Sequence, residues 1–229
     1  MPDMIDYTAP DRHRCALVTV DAQRDYINSE SPVRSAACSQ TVEPLARLVA
    51  GARACGTPIF HTVRYYRPDG SNVDLCRRKS VEEGMRVLMP GSLGAELLEE
   101  ILPGPAVRLD PYLLMDGGYH RIGAREEALY KPRWGAFYNT CLADRLNAYG
   151  ITTLLVSGFN FASSGRATTL EASERDFRVV LVPDAAAGAD ETAQRELCRV
   201  GVHILPVADC LAWLGGGAPS PRTTPAETV

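Results

Sequence analysis

The sequence predicts an α/β protein in which a mainly parallel sheet is covered by helices on both faces, a three-layer αβα sandwich. Two observations carry this reading. Short apolar, β-branched runs recur along the chain, and stretches of helical period stand between them. The 229 residues suit one large domain, and 45% apolar with 23% charged residues is the balance of an ordinary globular chain.

Taken in order, Cys15–Val20 (CALVTV) is the first strand and ends at Asp21. Thr41–Ala54 is a helix with Leu45, Leu48, Val49 and Ala52 on one face and Gly56 as its stop. Pro58–Val63 and Ala128–Lys131 are the second and third strands. Cys141–Tyr149 is a helix closed by Gly150, followed by strand Thr153–Ser157, helix Ser164–Asp176 and strand Val179–Val182. Helix Glu191–Val200, strand His203–Leu205 and helix Val207–Trp213 complete the alternation. This gives one domain over residues 1–214. Residues 215–229 lack apolar side chains to bury and are expected to form a disordered tail.

One stretch breaks the pattern. Residues 64–123 carry turn signals at Pro68-Asp69-Gly70, Pro90-Gly91 and Pro103-Gly104-Pro105, with short helices expected at Ser80–Val87 and Leu93–Leu102. An insertion of this size usually leaves from the carboxyl end of a strand, where ligands bind. It reads as a specificity lid or an oligomer contact.

Composition excludes several classes. No apolar run reaches the ~20 residues of a membrane helix, and the polar start MPDMIDYTAPDRHR has no secretory core. The net charge of −4, without a block of Lys or Arg, argues against nucleic acid. Seven cysteines are an odd number. Cys15, Cys55 and Cys141 lie in or beside apolar segments, so they read as small buried hydrophobes in a reducing cytoplasm. The absence of C-x-x-C pairs speaks against structural zinc, and no Gly-x-Gly-x-x-Gly follows the first strand to hold a dinucleotide.

In an open parallel sheet the ligand crevice lies beyond the carboxyl ends of the strands. Asp21, Lys131 and Ser164 all fall at such ends: a carboxylate, an ammonium and a hydroxyl that could serve as base, electrostatic partner and nucleophile. Each also has a plain structural reading, as turn cap, solvated strand end and helix N-cap. Spacing alone leaves both open.

Three segments carry a family resemblance. LVTVDAQRDYI resembles the opening strand of the isochorismatase-like cysteine hydrolases, YKPRWGAFYNTCLADRL their lysine segment, and SGFNFASSGRATTLEASERDFRVVLVPDA their nucleophile segment. The resemblance implies a six-stranded, Rossmann-like sheet, an Asp/Lys/Cys triad, a small-molecule substrate, no cofactor and usually a homo-oligomer. Carried over, Asp21 is the general acid/base and Lys131 holds the Asp and the nucleophile in their charged forms. The nucleophile's position, six residues after Gly158, is occupied by Ser164. It also implies a cis bond at Phe159-Asn160, with the N–H groups of Asn160 and Ser164 as oxyanion donors. Gln23 and Tyr26 in the first motif, Trp134, Phe137 and Tyr138 in the second and Phe161 in the third would then border the substrate. Arg64 and Arg67 could clamp a substrate carboxylate. Asp184 reads as a turn cap. Nicotinamidase relatives bind zinc through Asp-x-His plus a distant His. Among His13, His61, His120 and His203, His61 has no Asp two residues before it, so no metal is expected.

The serine is the departure that matters. A Cys at a helix N-terminus beside a Lys is largely thiolate at neutral pH, whereas a serine hydroxyl needs a positioned strong base and a carboxylate is a weak one. The chain is either a natural serine form or a cysteine-to-serine replacement. The expected activity is hydrolysis of a non-peptide C–N bond in a small amide or carbamoyl compound. Two alternatives stand beside it: vinyl-ether hydrolysis of the isochorismate type, with Asp21 as acid and no nucleophile, and an inactive binding or assembly member.

Overall fold

The computed structural model describes residues 6–217, so residues 218–229 of the expected tail lie outside the described residues. Among the described residues seven strands form one sheet: β1 (Cys15–Val20), β2 (Ile59–Val63), β3 (Tyr119–Gly123), β4 (Glu126–Tyr130), β5 (Thr153–Gly158), β6 (Arg178–Ala186) and β7 (His203–Ile204). Their order is β3-β4-β2-β1-β5-β6-β7, parallel throughout except for the antiparallel pair β3/β4. Beside them stand α1 (Ala36–Ala54), α2 (Leu75–Glu82), α3 (Pro111–Met115), α4 (Leu142–Ala148), α5 (Arg166–Ser173), α6 (Glu191–Cys198) and α7 (Val207–Leu214). No described helix is long and apolar enough to cross a membrane.

Alternation along the central strand builds the layers. Cys15 and Leu17 of β1 pack with Leu48 and Val49 of α1 and Trp213 of α7. Ala16, Val18 and Val20 face the other way, toward Leu142 and Leu146 of α4 and Ala172 of α5. Every residue of β1 is buried, which is why it reads as an uninterrupted apolar run.

The sheet has seven strands, not six. The additional strand is β3, a half-exposed edge whose Tyr119 ring lies under the Arg145 guanidinium. Only pairing with β4 makes it a strand. α1 begins five residues before Thr41, because the extra turn buries Cys38 in the core. Pro44 therefore lies inside the helix and not in its first turn.

Residues 64–123 differ most from expectation. The helices there are Leu75–Glu82, ended by Gly84 at φ 112°, and the short Pro111–Met115, and Leu93–Leu102 holds only two single turns of tight helix. The reason is tertiary. Leu97 bridges to Gln23, and the Arg24 N–H donates to the Glu96 carbonyl at 3.0 Å, which holds residues 96–97 extended and buries Leu97 and Leu98 together. Of the cysteines read as buried, Cys15 is in the core, Cys141 is half-buried, and Cys55 is exposed at the end of α1.

Candidate active site

β1, β4 and β5 end at one edge of the sheet and deliver three polar side chains to one point. Asp21 follows β1 at φ 54°, and its N–H donates to the Thr62 carbonyl at 2.9 Å. Lys131 follows β4, with its N–H on the Val63 carbonyl at 2.9 Å. β5 runs into a π-turn, Phe161–Gly165, that holds Ser164 and leads directly into α5. Gly158 makes this entry possible. Its φ is 111°, and a Cβ there would collide with the backbone of Val20 on β1. Asn160 follows at φ 54°, so Asp21 and Asn160 both hold the left-handed conformation at this edge.

The three side chains meet. Lys131 Nζ lies 2.9 Å from Asp21 Oδ1 and 3.1 Å from Oδ2, and donates to Ser164 Oγ at 3.2 Å. Its remaining bond goes to the Arg133 carbonyl at 3.3 Å, so all three ammonium protons have acceptors. Asp21, Lys131 and Ser164 are 1%, 0% and 3% exposed. Burial pushes the Lys131 ammonium down to about 8; Asp21 pulls it up and the Arg64 charge pulls it further down. Asp21 Oδ1 has no hydrogen bond of good geometry, although it stands within ion-pair distance of Nζ.

The other expected residues divide. Tyr26 is buried edge-on against Phe159, within electrostatic reach of Asp21. Gln23 is fully committed inside the chain: its amide donates to the carbonyls of Arg64 (2.9 Å) and Ala95 (2.6 Å) and accepts the Arg64 N–H (2.8 Å). It ties β1 to β2 and has no donor left for a ligand. Arg64 is 2% exposed and donates to Asp74 at 2.6 Å. Arg67 is exposed and borders a separate cleft with Met89, Tyr112 and Asp116, so the expected two-arginine clamp does not form. Phe137 packs against Phe177, and both Phe137 and Phe161 belong to the core under α4 and α5, not to a substrate wall. Trp134 and Tyr138 are about half exposed and line a cleft of about 580 Å³ with Asp74, Leu75, Arg133 and Ala167. That cleft shares Arg133 with the Lys131 bond and Asp74 with the Arg64 pair.

One further expectation changes. The Phe159-Asn160 bond is trans, and Asn160 itself takes the left-handed conformation at φ 54°. Asp184 accepts the Val207 N–H at 2.9 Å, so it caps α7 across the chain.

The sequence reading missed several supports. Asp74 neutralises Arg64 from the start of α2, and its only sequence signal was its position before a helix. Glu171 accepts the Phe137 N–H at 2.9 Å, and Thr168 the Ala136 N–H at 3.1 Å, which fasten the loop carrying Trp134 to α5. A buried relay beneath the sheet was also unseen: Thr19 Oγ1 lies 2.7 Å from His61 Nδ1, and His61 Nε2 lies 2.8 Å from Glu126 Oε1. Arg53 closes on the same carboxylate at 2.7 and 2.9 Å.

Comparison with known proteins gives one family. The profile described as the isochorismatase domain matches residues 15–109 and 121–208. A maleamate amidohydrolase of Pseudomonas putida is 28% identical over 168 residues, 73% of this chain and 69% of that protein. A probable inactive nicotinamidase of Arabidopsis thaliana is 27% identical over 176 residues, 76% of this chain and 81% of its own length. The crystal structure of an isochorismatase family protein from Desulfovibrio vulgaris superposes with a TM-score of 0.74 at 29% identity, covering 88% of this chain and 98% of that one.

Proposed function

The chain belongs to the isochorismatase family, and from that premise we propose that it hydrolyses the C–N bond of a small amide or carbamoyl compound with Asp21, Lys131 and Ser164 as its catalytic residues. The observation that supports this most is the Lys131 ammonium, held between the Asp21 carboxylate and the Ser164 hydroxyl with almost no solvent. A buried cation in that position favours negative charge on both neighbours.

In the proposed reaction Ser164 Oγ attacks the substrate carbonyl carbon and its proton passes to the Asp21 carboxylate. The tetrahedral oxyanion draws stabilisation from the nearby ammonium of Lys131. Collapse breaks the C–N bond, and Asp21 returns the proton to the leaving amine. Water then cleaves the acyl-serine ester, Asp21 taking its proton and giving it back to Ser164 Oγ. The cleft beside Trp134 and Tyr138 is the approach.

The test is ammonia release from a panel of small amides and ureido compounds, with mass spectrometry for an acyl group on Ser164. Turnover lost in Asp21→Asn is the expected result. Pyruvate release from isochorismate without an adduct would replace the proposal with acid-only vinyl-ether hydrolysis. Inertness of both Ser164 and Ser164→Cys forms, together with tight ligand binding, would make the chain a binding member.

A further inference from the structure

The Lys131 ammonium donates to Asp21, to Ser164 and to the Arg133 carbonyl. The first two acceptors are anchored by the sheet and by the turn into α5. The third is not, because residues 132–138 form neither helix nor strand. Something outside the loop must keep that carbonyl on Nζ. The Arg133 side chain donates to the Asn72 carbonyl at 3.1 Å, but this bond is exposed and competes with water.

The stronger hold comes from α5. Thr168 Oγ1 accepts the Ala136 N–H at 3.1 Å, and Glu171 Oε2 accepts the Phe137 N–H at 2.9 Å. Three residues apart, the two side chains share one face of the helix. The loop lies so close to them that a Cβ on Gly135 would collide with the Glu171 carboxylate. The helix that follows Ser164 therefore also grips the loop that follows Lys131. Arg133, Trp134, Gly135 and Glu171 all line the 580 Å³ cleft, whereas Lys131 behind them is 0% exposed. The loop is the wall between the two.

We propose that Thr168 and Glu171 are positioning residues of this site, a clasp that keeps the Arg133 carbonyl on Lys131 and the water of the cleft away from Asp21, Lys131 and Ser164. The kinetic part of the proposal rests on the hydrolase reading above; the titration of Lys131 does not. With the clasp open, Lys131 loses one acceptor and gains water. Desolvation is the largest influence on this ammonium, so hydration raises its pKa from about 8 toward the ordinary 10.5. The charged groups that face it are Asp21 after β1, Arg64 after β2 and Asp74 before α2, and opening the clasp removes none of them.

The chain contains only two lysines, Lys79 and Lys131. Protein isotope-labelled in lysine alone gives two side-chain NMR signals to follow against pH, with the surface Lys79 as reference. In Thr168→Val and in Glu171→Ala the Lys131 midpoint is expected to rise by about one pH unit. Thr168→Ser and Glu171→Gln keep the acceptor oxygen and are expected to keep the parent midpoint. Loss of the Glu171 charge would by itself lower a lysine pKa, so it cannot imitate the rise. Thr168→Val preserves shape and Glu171→Ala trims a half-buried side chain, so failure of one to fold leaves the other to decide. A midpoint unmoved in the folded variants, with or without a lower melting temperature, overturns the proposal. So does an equal rise in Thr168→Ser and Glu171→Gln, or a parent midpoint near 10.5. Where the parent turns over an amide, Thr168→Val and Glu171→Ala should lose about 10-fold in kcat with less change in KM. Their alkaline limit should rise with the Lys131 midpoint. The expected titration without turnover of any amide keeps the clasp and sinks the hydrolase reading. Turnover with an unmoved titration does the reverse.

Discussion

Lys131 Nζ sits 2.9 Å from Asp21 Oδ1, and neither side chain has meaningful access to water. A lysine that spacing alone left open as either a solvated strand end or an active-site group is one of the most enclosed groups in the protein. The pair therefore carries a structural duty alongside any catalytic one. Removing one member of a buried ion pair leaves an uncompensated charge, which costs about 3–5 kcal/mol.

Lys131→Met should abolish turnover and lower unfolding free energy in urea by about 3–5 kcal/mol. The double variant Asp21→Asn/Lys131→Met, with no charge left behind, should recover most of that stability and none of the activity. Equal stability of Lys131→Met and the parent chain would mean that the buried pair contributes nothing to folding.

Ser164→Cys should raise C–N hydrolysis. The ammonium at 3.2 Å favours an anion at position 164, and a thiol ionises far more readily than a hydroxyl. The exchange replaces one atom and should change stability by less than about 1 kcal/mol. Parallel rate assays with mass spectrometry for an acyl adduct decide the matter. A Cys form no faster on any substrate, and never acylated, would remove the covalent mechanism.

Turnover should fall on the alkaline side through a pKa of about 8, where burial brings the Lys131 ammonium. The effect on folding has the opposite direction. The folded pKa lies below the ordinary 10.5, so the unfolded chain binds more protons between those values and this group's contribution to stability rises with pH from about 8 to about 10.5. A rate profile paired with melting curves across that range checks both. Activity that stays flat to pH 10 would exclude the ammonium from the reaction.

Glu126 sets the acid limit. Burial alone would raise its pKa, but the hydrogen bonds from His61 and Arg53 outweigh it and bring the carboxyl down to about 2. Its stabilisation is fully present above the ordinary 4.5 and is lost as pH falls from there through about 2. Glu126→Gln should cost on the order of 3 kcal/mol at neutral pH and flatten the loss of stability below pH 4.5. Unchanged acid unfolding in the variant would contradict this assignment.

How much was legible follows from what each part depends on. Strands such as Cys15–Val20 and Thr153–Gly158 announce themselves because burial on both faces demands apolar residues at every position. Asp21, Lys131 and Ser164 were legible because strand ends are where a parallel sheet gathers its polar groups, and the geometry did bring the three within hydrogen-bond reach. Composition and periodicity, which are local properties, determined the α/β layers and put the trio at strand ends, and the family resemblance of the three segments singled it out.

Tertiary structure alone decided the rest. Gln23, Phe137 and Phe161 share sequence segments with the trio, yet one is spent on backbone groups of Arg64 and Ala95 and two are packed in the core. β3 is polar enough to pass for a loop and becomes a strand only through β4. Arg64 looks the same as Arg67 in sequence, and what separates them is that Asp74, ten residues on, folds back to enclose one guanidinium while the other stays in water. Hydrogen-bond partners and burial depend on which distant segments close over a residue. No local pattern encodes that enclosure, and it is the low dielectric inside it that gives a charge or an unsatisfied donor its chemical force.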